Sequence, residues 1–282
     1  CDLEQISSAA PFRRGAFVML FMLAAGCAPY TATKFADYFG MSKSNIEGEG
    51  FTHVVFSRDR QRIDDELHIY IDDDGNADAG SSPGTDPTPE LSMALNLAVK
   101  DTNDRAVIGR PCYFGVSVQE QCDAKYWTSH RYSEGVVRSM AAAIRQVRQP
   151  RHQEIYLIGI GGGGVIATLL EPLLEDVVAV VTVGSNLDTD AWASHNGMPP
   201  LSGSLNPARE VGSSNVPHFL LLGNKHETVP QWLGIAYAEG REHVIVQTYP
   251  GYDDECCWEK DWESILNDVN AEIADRSIPD FD

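Results

Sequence analysis

Runs of β-branched and leucine residues recur along this chain, and most are followed by a segment with apolar residues at helical spacing. "THVVFS" (Thr52–Ser57) and "LHIYI" (Leu67–Ile71) have the length and residue types of strands and are joined by a charged turn. "LSMALNLAVKD", from Leu91, predicts a helix, and "AVIGR" (Ala106–Arg110) a strand. "SEGVVRSMAAAIRQV" (Ser133–Val147) predicts an amphipathic helix with Glu134 near its start. "EIYLIGI" predicts a strand that runs into glycines and then into the helical "GGVIATLLEPLL". "VVAVVTVG" (Val177–Gly184) is apolar without interruption, the pattern of a strand covered on both faces. "HFLLLG" (His218–Gly223) and "HVIVQTYP" (His243–Pro250) add two strands, and "WEKDWESILNDVNAEIA" a last helix. Alternation of this kind from residue 67 onward predicts an α/β domain, a mostly parallel sheet with helices on both faces. The stretch from Asp188 to Val216 reads as a loop, a small cap insert over the C-terminal edge of the sheet, where open α/β sheets bind ligands.

Composition narrows the class. The chain has 282 residues, enough for one large domain, and a formal net charge of -20, which repels nucleic acid. Arg13 and Arg14 precede the apolar run "AFVMLFMLAAG", which is too short to span a bilayer and stops at Cys27. "LAAGC" resembles a bacterial lipoprotein signal, so Cys27 is the expected lipidation site and lipid anchor of an exported protein, periplasmic or held at the outer membrane. A plain cleaved signal followed by an incidental cysteine is the other reading. The expected organisation is an export signal over 1–27, a polar lead-in over 28–50 and the domain over 51–282. Export permits disulfides. Cys112 and Cys122 flank one loop and are expected to close it, whereas Cys256 and Cys257 are expected to be one bridged cysteine and one buried thiol. The cysteine spacings are not those of a zinc site.

The candidate chemistry centres on Gly159-Ile160-Gly161-Gly162-Gly163. A strand, a sharp turn and a helix reading G-x-S-x-G present a nucleophilic serine in many hydrolases, but here the serine position is Gly161. The same glycines fit G-x-G-x-x-G of a dinucleotide site, yet no acidic residue ends the following strand to hold a ribose. "DDDGNAD" (Asp72–Asp78) has Ala77 and Pro83 where a calcium loop needs glycine and glutamate, and reads as an acidic turn.

The segments "LHIYIDDDG", "GRPCYFG", "WTSHRYSEGVVRSMAAAIR", "LIGIGGGGVIATLL", "VVTVGSNLDTDAW", "PLSGSLNPA" and "GYDDECCWEKDW" resemble a family of bacterial, often exported, serine hydrolases and esterases with the α/β-hydrolase fold. The resemblance covers most of the chain from about residue 50. It implies a nucleophile at Gly161, an acid at His226 and a histidine at Asp254, so each triad position is substituted. It also places the oxyanion hole at the backbone of Asp73 and Gly162, with Asp73 standing where the family has glycine, so that its carboxylate would repel a developing oxyanion. Asp188, after the sixth strand, is an alternative acid. His226 and Asp254 are expected to meet as a reversed contact with a structural role. A metal held by His226, Asp254 and Asp188 is disfavoured as a thin ligand set, and no cofactor is implied. Three readings stand: a hydrolase fold inactive as written, an altered version of an active serine hydrolase, and a binding or scaffold protein. Each implies a small acyl or ester ligand in the old cleft.

Overall fold

Eight strands form one open sheet: β1 Ser42–Glu47, β2 Thr52–Arg58, β3 Glu66–Ile71, β4 Asp104–Ile108, β5 Glu154–Ile160, β6 Val177–Val183, β7 His218–Gly223 and β8 Val244–Tyr249. The computed structural model describes residues 31–59, 65–76, 78–79, 82–83, 85–254 and 256–276. The expected export segment over 1–27, with Cys27, lies outside them. Strand order is β1-β2-β4-β3-β5-β6-β7-β8. β2 runs antiparallel to both its neighbours, and all other pairs are parallel.

Parallel pairs need crossovers, and here most of these carry helices: α2 Met93–Ala98, α3 Glu134–Val147, α4 Gly162–Leu170, α5 Thr189–His195, α6 Pro207–Glu210 and α7 Gln231–Ala238. α1 Ala32–Tyr38 precedes the sheet and α8 Trp258–Arg276 follows it. Side chains alternate across the strands, so two cores form. Ile155 and Leu157 of β5 pack in one with Met140, Ile166 and Leu233. Tyr156, Ile158 and Ile160 pack in the other with Leu95, Trp258 and Trp262.

Four local features differ from the sequence expectation. Residues 28–50, expected as lead-in, contain α1 and the edge strand β1. "SKSNIE" has one apolar residue because β1 is exposed on nearly every position, and it is held by its register with β2. The insert after Asp188 contains α5 and α6, capped by Asp188 and by Asn206 before Pro207. β4 begins at Asp104, two residues early, because buried Asp104 and Arg105 have polar partners at the start of the strand. The cysteines form two bonds. Cys112 is joined to Cys122, with Cα atoms 5.7 Å apart, and Cys256 is joined to Cys257 across a cis peptide bond. The vicinal pair thus bridges itself, where the sequence suggested a separate partner.

Candidate active site

β5 ends at Ile160, and the chain turns at Gly161 with φ 50° and ψ -122° before α4 begins. L-residues enter this region at a cost of ~1–3 kcal/mol, so glycine relieves the turn. The turn is held from both sides. Gly161 N–H donates to Val183 O at 2.9 Å, and Gly164 N–H donates to Gly161 O at 3.1 Å. The turn opens into a cavity of about 160 Å³ at the carboxyl ends of the strands, bounded by Gly161, Asp73, Trp192, His226, Asp254 and Trp258 among others. A Cβ on Gly161 would stand 3.1 Å from Asp73 Cβ, so Asp73 flanks the place a side chain there would take.

His226 follows β7 and Asp254 follows β8, and the two loops meet. His226 Nδ1 lies 2.9 Å from Asp254 Oδ1. The same Nδ1 accepts from Val229 N–H at 3.2 Å, so it faces both a donor and a carboxylate. The opposite edge of the ring covers Gly184, where a Cβ would fall 2.6 Å from Nε2. The His226 ring is 9% exposed and the Asp254 side chain 51%, which makes this a rim pair. Asp188 is elsewhere. Its Oδ1 accepts from Asp190 N–H, Ala191 N–H and Asn206 Nδ2, so the alternative acid is a helix cap and does not join His226. Among the described residues, no group of three or more His, Cys, Asp or Glu side chains is placed to hold a metal ion.

The three aspartates after β3 have different environments. Asp72 is buried, and its Oδ1 accepts from Ala94 N–H at 3.2 Å. Burial, then the neighbouring Asp73 charge, pushes its carboxyl well above the usual range. Asp73 Oδ1 accepts from Gly75 N–H at 2.7 Å. Burial pushes its carboxyl up as well; Asp74 and Asp254 add to this, and Gly75 N–H and Arg110 oppose it. Asp74 sits in a cationic cradle. Arg110 Nη1 lies 2.6 Å from Oδ1, while Arg131 Nη1 and Tyr132 Oη reach Oδ2 at 3.1 and 2.7 Å. Burial alone would raise its carboxyl, but Arg131 and Arg110 outweigh that and bring it down to about 2. Arg110 also donates to Asp73 O at 3.0 Å, and Tyr113 to Asp74 O at 3.0 Å, so the loop is fixed. The Asp73 N–H points back to Asp72 Oδ1 at 3.3 Å.

No family model and no curated protein matches the chain. Solved structures do. An esterase of Pyrococcus furiosus is 12% identical, with 88% of this chain and 95% of that one covered at a TM-score of 0.59. Est1E of Butyrivibrio proteoclasticus is 11% identical, with 82% and 98% covered at 0.59. A lidless α/β serine hydrolase of Xanthomonas campestris is 13% identical, with 86% and 97% covered at 0.53. This chain has the α/β-hydrolase fold. In this chain the turn after the fifth strand of the sheet, between β5 and α4, has Gly161 at its centre. Gly161 brings no side-chain hydroxyl to this turn. Gly162 opens α4, whose first backbone N–H groups have no partner within the helix itself. Asp73 N–H, the oxyanion donor that the sequence resemblance implies, is turned to the Asp72 carboxylate.

Sequence reading missed Asp74, Arg110 and Arg131 as parts of the site. Their partners are tens of residues apart, so no local spacing marks them. Arg110 lies in "GRPCYFG" and Arg131 in "WTSHRYSEG", two of the segments that carry the family resemblance, and that was the available signal.

Proposed function

We propose that this chain is related by descent to serine esterases, has lost their covalent acyl-transfer step, and keeps the cleft for a small acyl or ester ligand. One observation carries the reading: a glycine with φ 50° and ψ -122° stands in the wall of a cavity beside a His226–Asp254 pair on the loops after β7 and β8, which the proposal takes as the sources of an ancestral triad's acid and base. Acyl transfer through serine needs a hydroxyl with a base in reach, and Gly161 supplies no atom to attack.

The test is hydrolysis of p-nitrophenyl esters together with labelling by a fluorophosphonate. The unaltered chain is expected to give neither. Gly161→Ser alone gives little, because triad members act as a unit. Gly161→Ser with His226→Asp and Asp254→His restores turnover. Asp73→Gly on that background raises it by roughly 100- to 1000-fold, the worth of one oxyanion donor. Stoichiometric labelling of the unaltered chain overturns the proposal, and a folded triple variant that stays silent overturns the assignment of the three positions. We assign residues 1–27 to an export signal with Cys27 as the lipidated anchor; intact mass of the membrane fraction tests this, and a mature chain without acyl mass refutes it.

A further inference from the structure

The two ends of the sheet are finished differently. β1 closes one end with "SKSNIE", which is polar and exposed at nearly every position. β8 closes the other with "VIVQTY", which carries no charge and is β-branched or aromatic except at Gln247. Free edges are usually blunted by charge, proline or a bulge, and β8 has none of these. It pairs with β7 alone, in unbroken register from Val244–His218 to Tyr249–Gly223. In a parallel ladder each residue turns its N–H and its C=O to the same side. His243 O accepts from His218 N–H, and Tyr249 O from Asn224 N–H, so the odd-numbered residues face β7. Val246 and Thr248 therefore turn their main-chain groups outward, where these have no partner among the described residues. Such a row is a template for a further strand.

The edge has a charged wall. A groove of about 670 Å³ lies between Gln247, Thr248 and Tyr249 of β8 and Asp268, Glu272 and Asp275 of α8, and no Lys or Arg lines it. Burial, then the Asp268 charge, pushes the Tyr249 hydroxyl up to about 12, so that carboxylate stands close to the strand. Arg276 reaches Glu272 at 2.9 Å, whereas Asp268 and Asp275 have no cationic partner among the described residues. Asp268 and Glu272 lie four residues apart on α8, about 6 Å along its axis. Strand residues on one face recur at about 6.6 Å, so basic side chains at alternate positions of an added strand fall at the spacing of the carboxylates. We propose that the β8 edge is a docking site for an extended basic segment of a partner protein. That segment joins the sheet through the outward groups of Val246 and Thr248 and sets alternate Lys or Arg side chains against Asp268, Glu272 and Asp275. Main-chain bonds supply affinity, and the charge pattern supplies selection. A second copy of this chain is a poorer occupant, because two-fold pairing of β8 with β8 brings α8 beside α8 and sets like carboxylates together.

The experiment titrates the full chain with an acetylated, amidated peptide in which lysine and valine alternate over seven residues, and with the same peptide N-methylated at every amide. The methylated peptide keeps the charge and loses the strand donors. The parent peptide is expected to bind, with an affinity that falls as salt is added, and to slow amide exchange across residues 244–249. The methylated peptide is expected to bind at least about tenfold more weakly, the scale of one or two lost main-chain bonds. Thr248→Pro removes one outward N–H and leaves the β7 ladder intact, since Thr248 faces away from it, and is expected to weaken the parent peptide by a similar factor. Asp268→Asn with Asp275→Asn weakens it by at least about tenfold as well and flattens the salt dependence. Equal binding of the two peptides, or undiminished binding by Thr248→Pro, would show diffuse attraction to an acidic surface and overturn the proposal. Sedimentation of the full chain supplies the other decisive arm: a dimer that Thr248→Pro dissociates assigns the edge to a second copy and overturns it too.

Discussion

His68 and His226 each face an aspartate, one across 2.6 Å and the other across 2.9 Å. The shorter pair, His68 with Asp101, is fully buried between β3 and the segment after α2. Tyr70 Oη donates to the same Asp101 oxygen at 2.6 Å, and Trp262 Nε1 donates to Tyr70 Oη at 2.9 Å. Glu66 and Asn103 close the other side of the ring. Every polar atom there has a protein partner, so nothing is left for a ligand. The longer pair is open. His226 and Asp254 share one contact at the rim of a cavity, and Asp254 is half in solvent. Tight His–Asp geometry in this molecule therefore marks a structural clamp, and the looser pair lies at the candidate site. Satisfaction of the surrounding groups, more than the distance between the pair, separates the two.

The comparison is broken most directly at Asp101. Asp101→Ala strands a protonated His68 and leaves the Tyr70 hydroxyl without its acceptor in the core, and is expected to cost about 3–5 kcal/mol, the usual loss when one partner of a buried pair is removed. Denaturant midpoints at constant m-value measure it. A loss under 1 kcal/mol would mean that the core relaxes around His68 and that the clamp is no clamp.

The same pair predicts a pH signature. Burial alone would lower the His68 pKa, but the Asp101 charge and hydrogen bond, then Glu66, raise it from 6.5 to about 9. A histidine raised in the folded state contributes stability that is complete below 6.5 and is lost as pH rises through about 9, a loss of about 3 kcal/mol at ~1.4 kcal/mol per unit. His218 has the opposite sign. It is buried on β7 against the His243 ring, with no hydrogen bond to either ring nitrogen among the described residues, and burial, then His243, brings it down to about 3. Its contribution is complete above 6.5 and falls as pH drops toward 3. Stability is therefore expected to decline on both sides of pH 6.5, with the alkaline limb flattened in His68→Gln and the acid limb in His218→Phe. A profile flat from pH 6.5 to 9 in the unaltered chain would refute the clamp's charge state.

Why the sequence reached one pair and missed the other follows from what each rests on. The strand at Val177–Val183 was legible because an unbroken apolar run leaves few alternatives, and the elbow was legible because strand, glycines and helix are contiguous. His226 and Asp254 were reached through segment resemblance, each beside a distinctive run of residues. His68 and Asp101 are 33 residues apart and lie in a strand and a loop that carry no polar motif. Asp74 meets Arg110, Arg131 and Tyr132 across 36 to 58 residues, and a run of three aspartates gave no hint of which one would be neutralised. β1 was passed over because a solvated edge strand has no apolar face to reveal it.

The elbow offers a smaller test. Gly161→Ala adds a methyl group where φ is 50° and Asp73 Cβ would be 3.1 Å away. The expected loss is about 1–3 kcal/mol from backbone strain alone. The double variant with Asp73→Gly should recover part of that loss, since the crowding neighbour is gone while the strained φ remains. Thermal melts of the two variants measure the coupling. Equal losses in both would mean that Asp73 does not press on the seat of the missing side chain.

The smallest effect belongs to the rim pair. Asp254→Asn removes the charge facing His226 and keeps the shape. With Asp254 half exposed, solvent screens the contact, and the expected cost is under about 1 kcal/mol. Val229 N–H still holds His226 Nδ1, so the ring keeps its position. A double-mutant cycle with His226→Gln gives the pair energy itself. A coupling of several kcal/mol, comparable to that at Asp101, would show that the rim pair is a second clamp bracing the loops after β7 and β8, and would remove its claim to be part of a working site. A small coupling leaves His226 held in place yet cheap to alter, as expected of a group that sits in a cleft to meet a ligand.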